Sequence, residues 1–324
     1  MGPDDATGGT VGMVDEDVGD EFRSSQDKDI EEQDNVSEEP DPKRQRGYQA
    51  GRDTDSSTPE EDWFHASEHI DELEEFKQAA VTDRCLHMAD LFSASGMAVA
   101  TFKENGYVSK PIDILRGHDI TSRAGFFAIF TACWAVMRGG LILAGPPCSL
   151  FIFLSSSMHR RSAANDFLGD TRHAKVRLSN LIVSNMSLIL GACVPRGVKI
   201  MLEQPKNSVM FRHPSIRALK SEKPGEKPVW SIVSTWMGCF DHEMPKPTHL
   251  LSNMGSARLL ARTMDLKQWR AARAPLQPSD KPAKRYMRMT PGGPAGGKDL
   301  HLSATYTSAF VWEVFIAWEK QFVR

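Results

Sequence analysis

The stretch 85-CLHMADLFSASGMAVATFKENGY-107 decides how this chain folds. Its first half is apolar up to Asp90 and Leu91, then small up to Gly96, which reads as a strand running into a tight turn. A helix over 97–105 follows, with Gly106 at a natural C-cap site. Onward, the pattern predicts a strand over 107–115, a helix over 121–138 and a short apolar strand, 141-LILAG-145. A helix over 174–193 then leads directly into the strand 198-VKIMLEQP-205. Strands alternating with helices predict an α/β fold, a mostly parallel sheet with helices on both faces. Such sheets carry their sites beyond the carboxyl ends of the strands. The turn after Asp90, the turn 145-GPPCSLF-151 and the turn at 203-EQP-205 all fall at such ends.

Composition sets the frame around this core. The chain has 324 residues, 40 % hydrophobic and 25 % charged, which suits a globular body. Residues 1–62 hold 20 Asp/Glu against 6 Lys/Arg, a net −14, with few aliphatics. They cannot bury enough apolar surface to offset the entropy of ordering, so a disordered acidic tail is expected. The remainder, 63–324, carries +11, which suits a polyanionic partner. The cluster 42-PKRQR-46 fits a nuclear-import signal.

The remaining segments are assigned as a linker with a docking helix (63–84), a catalytic domain (85–254), a small basic loop-rich region (255–299) and a returning C-terminal helix (300–324). Within them, 229–236 and 248–253 read as antiparallel strands. The five cysteines are odd in number and form no CxxC pair, and the N-terminus lacks a signal-peptide layout. A reduced, intracellular protein with neither disulfides nor a thiolate zinc site is expected. No histidine cluster has metal spacing, His65 and His69 reading as a surface pair. The run 126-FFAIFTACWAVM-137 is too short to span a bilayer.

Three features carry chemistry. In the turn after Asp90, small residues let backbone approach a ligand, and the helix that follows presents its N-terminus. Asp113, 23 residues on, ends the next strand, where an acid accepts hydrogen bonds from ribose hydroxyls; a tight turn with a solvated aspartate is the plain alternative. The prolines of 145-GPPCSLF-151 stiffen the turn that presents Cys148. Near a basic loop that thiol is expected to have a lowered pKa and be nucleophilic, against the alternative of ordinary burial. Glu203 ends an apolar strand, where a carboxylate needs either a task or a partner such as Lys206. Arg160, Arg161, Arg172, Lys175 and Arg177, together with the ten Lys/Arg of 258–298, are candidate phosphate contacts.

The order of these motifs resembles that of the DNA (cytosine-5)-methyltransferases, S-adenosylmethionine-dependent enzymes that share the Rossmann-like class I methyltransferase fold. In that family a strand ends in D-L-F-[AS]-G-x-G-G, and 90-DLFSASGM-97 is similar. The sequence 145-GPPCSLFIFLS-155 resembles the family's G-P-P-C-x-x-[FY]-S, 170-DTR-172 its Asp-x-Arg, 203-EQP-205 its E-N-V, and 303-SATYTSAFVWEV-314 its last helix.

The resemblance implies a duplex DNA partner with a flipped cytosine, S-adenosylmethionine as cofactor, and a monomer on DNA. It implies Cys148 as nucleophile on carbon 6, Glu203 at the N3 edge and Pro147 shaping the pocket. The cofactor would lie along Asp90, Leu91, Phe92, Ser93 and Gly96, with Asp113 at its ribose, Asp119 at the adenine amine, and Ile120 and Pro146 beside it. Ser155, Arg160, Arg161, Arg172, Lys246, Arg285 and Arg288 would meet the nucleic acid.

Ala94 and Met97 stand where the family carries glycine, and Gln204-Pro205 where it carries Asn-Val. The family's Gln-x-Arg-x-Arg has no counterpart, 245-PKPTHL-250 lying in its place. These departures favour a second reading, a catalytically inactive, methyltransferase-like module that binds nucleic acid. A third is a Rossmann-like enzyme using another nucleotide cofactor on a small substrate. Joint retention of Asp90, Cys148 and Glu203 favours the enzyme.

Overall fold

The computed structural model describes residues 62–79, 85–220, 229–273, 287–290, 293–296 and 305–322. The expectations for residues 1–61, the import cluster among them, and for Arg285 lie outside those residues.

A six-stranded mixed sheet organises the body. Its strands are β1 (Leu86–Leu91), β2 (Ser109–Ile112), β3 (Val136–Ala144), β4 (Lys199–Pro205), β5 (Ser231–Trp236) and β6 (Pro247–Ser252), in the order β2-β1-β3-β4-β6-β5. The first four run parallel, and β6 runs antiparallel between β4 and β5. The α/β architecture expected from the sequence is therefore present. A small hairpin, β7 (Met287–Thr290) with β8 (Gly293–Gly296), stands apart from this sheet.

Alternation along each strand feeds two cores. Ala89, Leu91, Ile142, Ala144, Ile200 and Leu202 face one side. There they meet helices α3 (Arg123–Trp134) and α5 (Ala174–Cys193). Met88, Leu141, Leu143 and Met201 face the other side, against α2 (Met97–Glu104) and α8 (Ser308–Phe322). Trp318 of α8 is fully buried on Phe102, and its indole N–H donates to the Gly139 carbonyl at 2.9 Å. Burying such a side chain contributes about 2–3 kcal/mol. By length and composition α5 could cross a membrane, yet it buries Val176, Met186, Ile189 and Leu190 in the first core.

The segment before β1 docks on the first core. Phe64 and Ala66 are buried there, together with Leu73 of helix α1 (Ile70–Ala79). Buried Asn185 braces this contact, donating to the carbonyls of Phe64 and Ile120 and accepting from the Ala66 N–H. His69 stacks on Phe64 and contacts Glu72 at 3.0 Å.

One boundary differs from the expected helix over 121–138. The helix ends at Trp134 and the chain enters β3 at Val136. Arg196 stops it, stacking on the Trp134 ring at 4.0 Å and donating to the Trp134 carbonyl at 2.5 Å. Val136 then pairs with Leu86, and a bulge precedes the Met88–Leu141 pair. Of the basic region, Gly255–Leu260 forms a 3-10 turn that buries Ala257 and Leu260, and α7 (Leu266–Arg273) follows.

Candidate functional site

Register aligns the strand ends. Leu91 pairs with Ala144, and Ala144 with Leu202, so the turns after β1 and β3 and the end of β4 share one rim. Asp90, the turn at Gly145–Cys148 and Glu203 come together there.

The first turn is backbone-strained. Phe92, Ala94 and Gly96 all have positive φ, of 62°, 39° and 71°. Only the glycine adopts that region freely; the other two need outside support. Asp113 supplies it, its Oδ2 accepting the Ala94 N–H at 3.0 Å and its Oδ1 the Leu115 N–H at 2.9 Å. The acid expected at a ribose thus braces the turn with one acceptor site on each oxygen.

Beside this turn lies a cavity of about 90 Å³. Leu91, Phe92, Asp113, Asp119, Ile120 and Pro147 line it, all six expected at the site from the sequence. Its mostly aliphatic walls, with a few polar groups, suit a flat aromatic ring. Asp119 Oδ1 is bound to the Thr121 N–H and hydroxyl at 2.9 and 2.7 Å. His118, not singled out in the sequence, also lines the cavity, and its Nδ1 is buried without a hydrogen-bond partner.

The second turn is held by a residue that the sequence marked only as a departure. Gln204 is buried; its Nε2 donates to the Pro146 carbonyl at 2.9 Å and its Oε1 accepts from Ser208 at 2.8 Å. Cys148 is half-buried. The expected lowering of its pKa does not occur: burial raises it, the Glu203 carboxylate adds to the rise, and Lys246 offsets part. Glu203 is buried, and its Oε1 lies 3.4 Å from the Lys246 ammonium, so its partner is Lys246 and not Lys206.

A third buried group completes the cluster. A Cβ on Gly145 would stand 2.5 Å from the Tyr306 hydroxyl and 3.9 Å from Glu203 Oε2. The phenol is pushed well above its ordinary pKa by burial, then by Glu203 and Asp90. Asp90 is 1 % exposed, and burial, with Asp113 nearby, pushes its pKa up to about 8. Both Asp90 oxygens, Ser93 Oγ, Glu203 Oε1 and the Tyr306 hydroxyl are buried without a hydrogen-bond partner. No local motif announces Tyr306, because its partners come from distant strands.

The candidate phosphate contacts divide. Arg161 is buried, stacked 3.9 Å over Phe151, and donates to Leu150, Phe167, Ser179 and Asn180. Burial lowers its pKa to about 10. It is a strut, and its guanidinium is committed to the fold rather than to phosphate. Lys246 is likewise committed to Glu203. Arg172 is exposed and bidentate on Asp170, at 2.8 and 2.6 Å, and Arg160 is exposed 3.9 Å from the same acid. Arg172 holds the Asp170 carboxyl well below the usual carboxylate range. Ser155 donates to Ser149 and Ile152 carbonyls. Arg288 lies on β7.

No protein-family model matches the chain, and no curated protein matches it.

Proposed function

We propose that the protein is an S-adenosylmethionine-dependent DNA methyltransferase that modifies cytosine at carbon 5 through Cys148. One observation carries this reading: Asp90, the proline turn bearing Cys148, and Glu203 leave adjacent parallel strands at one rim, beside a cavity lined by the residues expected to hold the cofactor. The residues fit such a group. Apolar walls at Phe92, Ile120 and Pro147 suit the adenine, and the unpartnered oxygens of Asp90 and Ser93 suit polar atoms of the remainder.

When bound, the cofactor supplies an electrophilic methyl group. The protein's own part is the activation of the base. The Cys148 thiol gives its proton to the neighbouring Glu203 carboxylate, and the thiolate bonds to carbon 6 of the flipped cytosine. Glu203 passes that proton to N3, so the electron pair gathers at carbon 5, the methyl acceptor. Solvent water then takes the carbon-5 proton, N3 returns its proton to Glu203, and the thiolate leaves as the carbon 5–carbon 6 double bond re-forms. Lys246 offsets the Glu203 charge, and Gln204 keeps the Cys148 turn rigid.

The test uses duplex DNA containing 5-fluorocytosine, which blocks the last step. A denaturant-resistant adduct that disappears in Cys148→Ser is the expected result. A second reading, the inactive nucleic-acid-binding module, draws on the strained φ of Ala94 and the raised thiol pKa. Salt-sensitive DNA binding with neither adduct nor cofactor binding would establish it instead.

A further inference from the structure

Three consecutive cavity residues, His118, Asp119 and Ile120, lie on the segment between β2 and α3. Packing fixes that segment from the α3 side: a Cβ on Gly125 would run into the Asp119 backbone. From outside, it is held by residues far away in sequence. The Phe64 N–H donates to the Thr121 carbonyl at 2.7 Å. Asn185 is 1 % exposed, and its Nδ2 donates to the Ile120 and Phe64 carbonyls at 2.9 and 2.8 Å. Its Oδ1 accepts the Ala66 N–H at 3.2 Å. Three residues earlier on α5, on the same helix face, Ile182 lines the cavity. One buried amide thus ties residues 63–79 to the wall that faces a ligand.

The strap formed by 63–79 is lightly held. Among the described residues none of it pairs with the sheet, so it depends on these hydrogen bonds and a few side chains. Phe64 and Ala66 are buried, and on α1 Leu73 is buried with Phe76 packed beside the core. Ile70 is exposed, and the Glu72–Arg123 ion pair, at 2.7 Å, faces water and contributes little. A helix of 10 residues is marginal alone in water, so α1 is helical only while docked. Such a segment opens locally, well before the fold as a whole.

We propose that Asn185 is a positioning residue that couples docking of the strap to ligand binding in the cavity. Undocking removes the donor from the Thr121 carbonyl and frees Asn185 from Phe64 and Ala66, so the wall at Ile120 slackens. A flat ring seated against Ile120 and Ile182 holds the wall and, through Asn185, the strap. By linkage each event strengthens the other by the same factor. The inference rests on the methyltransferase reading, in which this cavity takes the adenosine end of the cofactor. It adds regulation to that reading: the cofactor is held tightly only with residues 63–79 seated.

Hydrogen exchange of the full chain, read by mass spectrometry, tests the coupling with S-adenosylhomocysteine as probe. Residues 64–73 do not line the cavity, yet their amides are expected to exchange about tenfold more slowly once the ligand is bound. Amides of α8, in the other core, should keep their rates. In calorimetric titration, Asn185→Leu, which keeps the volume and removes the amide, is expected to raise the dissociation constant about tenfold. The same variant should speed exchange at 64–73 and 117–122 together. Leu73→Ala, on α1 and away from the wall, should weaken binding in the same direction by loosening the strap alone. It carries the test should Asn185→Leu lose its fold by circular dichroism.

Ligand binding that leaves exchange at 64–73 unchanged, or variants that loosen the strap yet bind as the native chain does, overturns the inference and leaves the methyltransferase reading standing. Failure of the native chain to bind the probe overturns both.

Discussion

Gln204 Nε2 donates to the carbonyl oxygen of Pro146 at 2.9 Å, joining the end of β4 to the turn that presents Cys148. The amide also accepts from Ser208, so both of its ends are used. A side chain in this place decides how rigidly the thiol is aimed. Gln204→Leu keeps the volume and leaves the Pro146 carbonyl unsatisfied, at an expected cost of about 1–3 kcal/mol. Urea denaturation measures it, and the 5-fluorocytosine adduct should form more slowly in the same variant.

Gly145 is required by Tyr306. A methyl group at Gly145 would stand 2.5 Å from the phenol oxygen, closer than any carbon can sit. Gly145→Ala is expected to destabilise by about 1–3 kcal/mol through overpacking. In a Tyr306→Phe background the cost should shrink, because the clashing atom is gone. A double-mutant cycle by chemical denaturation gives the coupling; additive effects would show that the two residues do not touch.

The stability of the protein should fall with pH because of Asp90. Its pKa is raised from 3.8 in the unfolded chain to about 8 in the fold. The fold therefore favours the protonated acid. That contribution is complete below about pH 4, is lost as pH rises toward 8, and is flat beyond, a total on the order of a few kcal/mol. Asp90→Asn removes this slope, so the variant and the native protein should diverge most above pH 8. Melting curves from pH 4 to 9 test the sign.

Alkylation with iodoacetamide reports the Cys148 thiol. Burial and Glu203 raise its pKa, so it should react slowly at pH 7.5 beside exposed Cys85. Glu203→Gln removes the neighbouring charge and should speed the reaction severalfold. Lys246→Met removes the offsetting ammonium and should slow it further. Peptide mass spectrometry resolves the sites.

The two adjacent arginines should behave oppositely. Arg161→Met strands buried carbonyls and side chains of four residues and is expected to cost about 3 kcal/mol or more. Arg160→Ala should leave the melting temperature nearly unchanged. If DNA is bound, it should lower the salt slope by about one, as expected for one phosphate contact.

The contrast between these residues shows what a linear sequence reveals. The strands, most helices and the shared rim were legible, because period and punctuation are local properties. The end of α3 was not, since Arg196, far along the chain, stops it at Trp134. Arg161 read as a phosphate contact because its partners at Ser179 and Asn180 sit on another helix. The basic loop points to a lowered Cys148 pKa, but burial raises it, and in space Glu203 adds more than Lys246 takes away. Tyr306 gave no signal at all, its hydroxyl having meaning only against Gly145.

Helix α8 covers Met88, Phe102 and Leu143, which lie early in the chain, and Tyr306 at its entry closes the acid cluster. During synthesis those apolar residues emerge long before α8. Until residue 318 has left the ribosome, that side of the sheet lacks the cover of α8 and has α2 beside it, and Asp90 has no phenol beside it. Completion of the second core and completion of the site are thus a single event, and until then the partly covered sheet face is a surface for chaperones to shield.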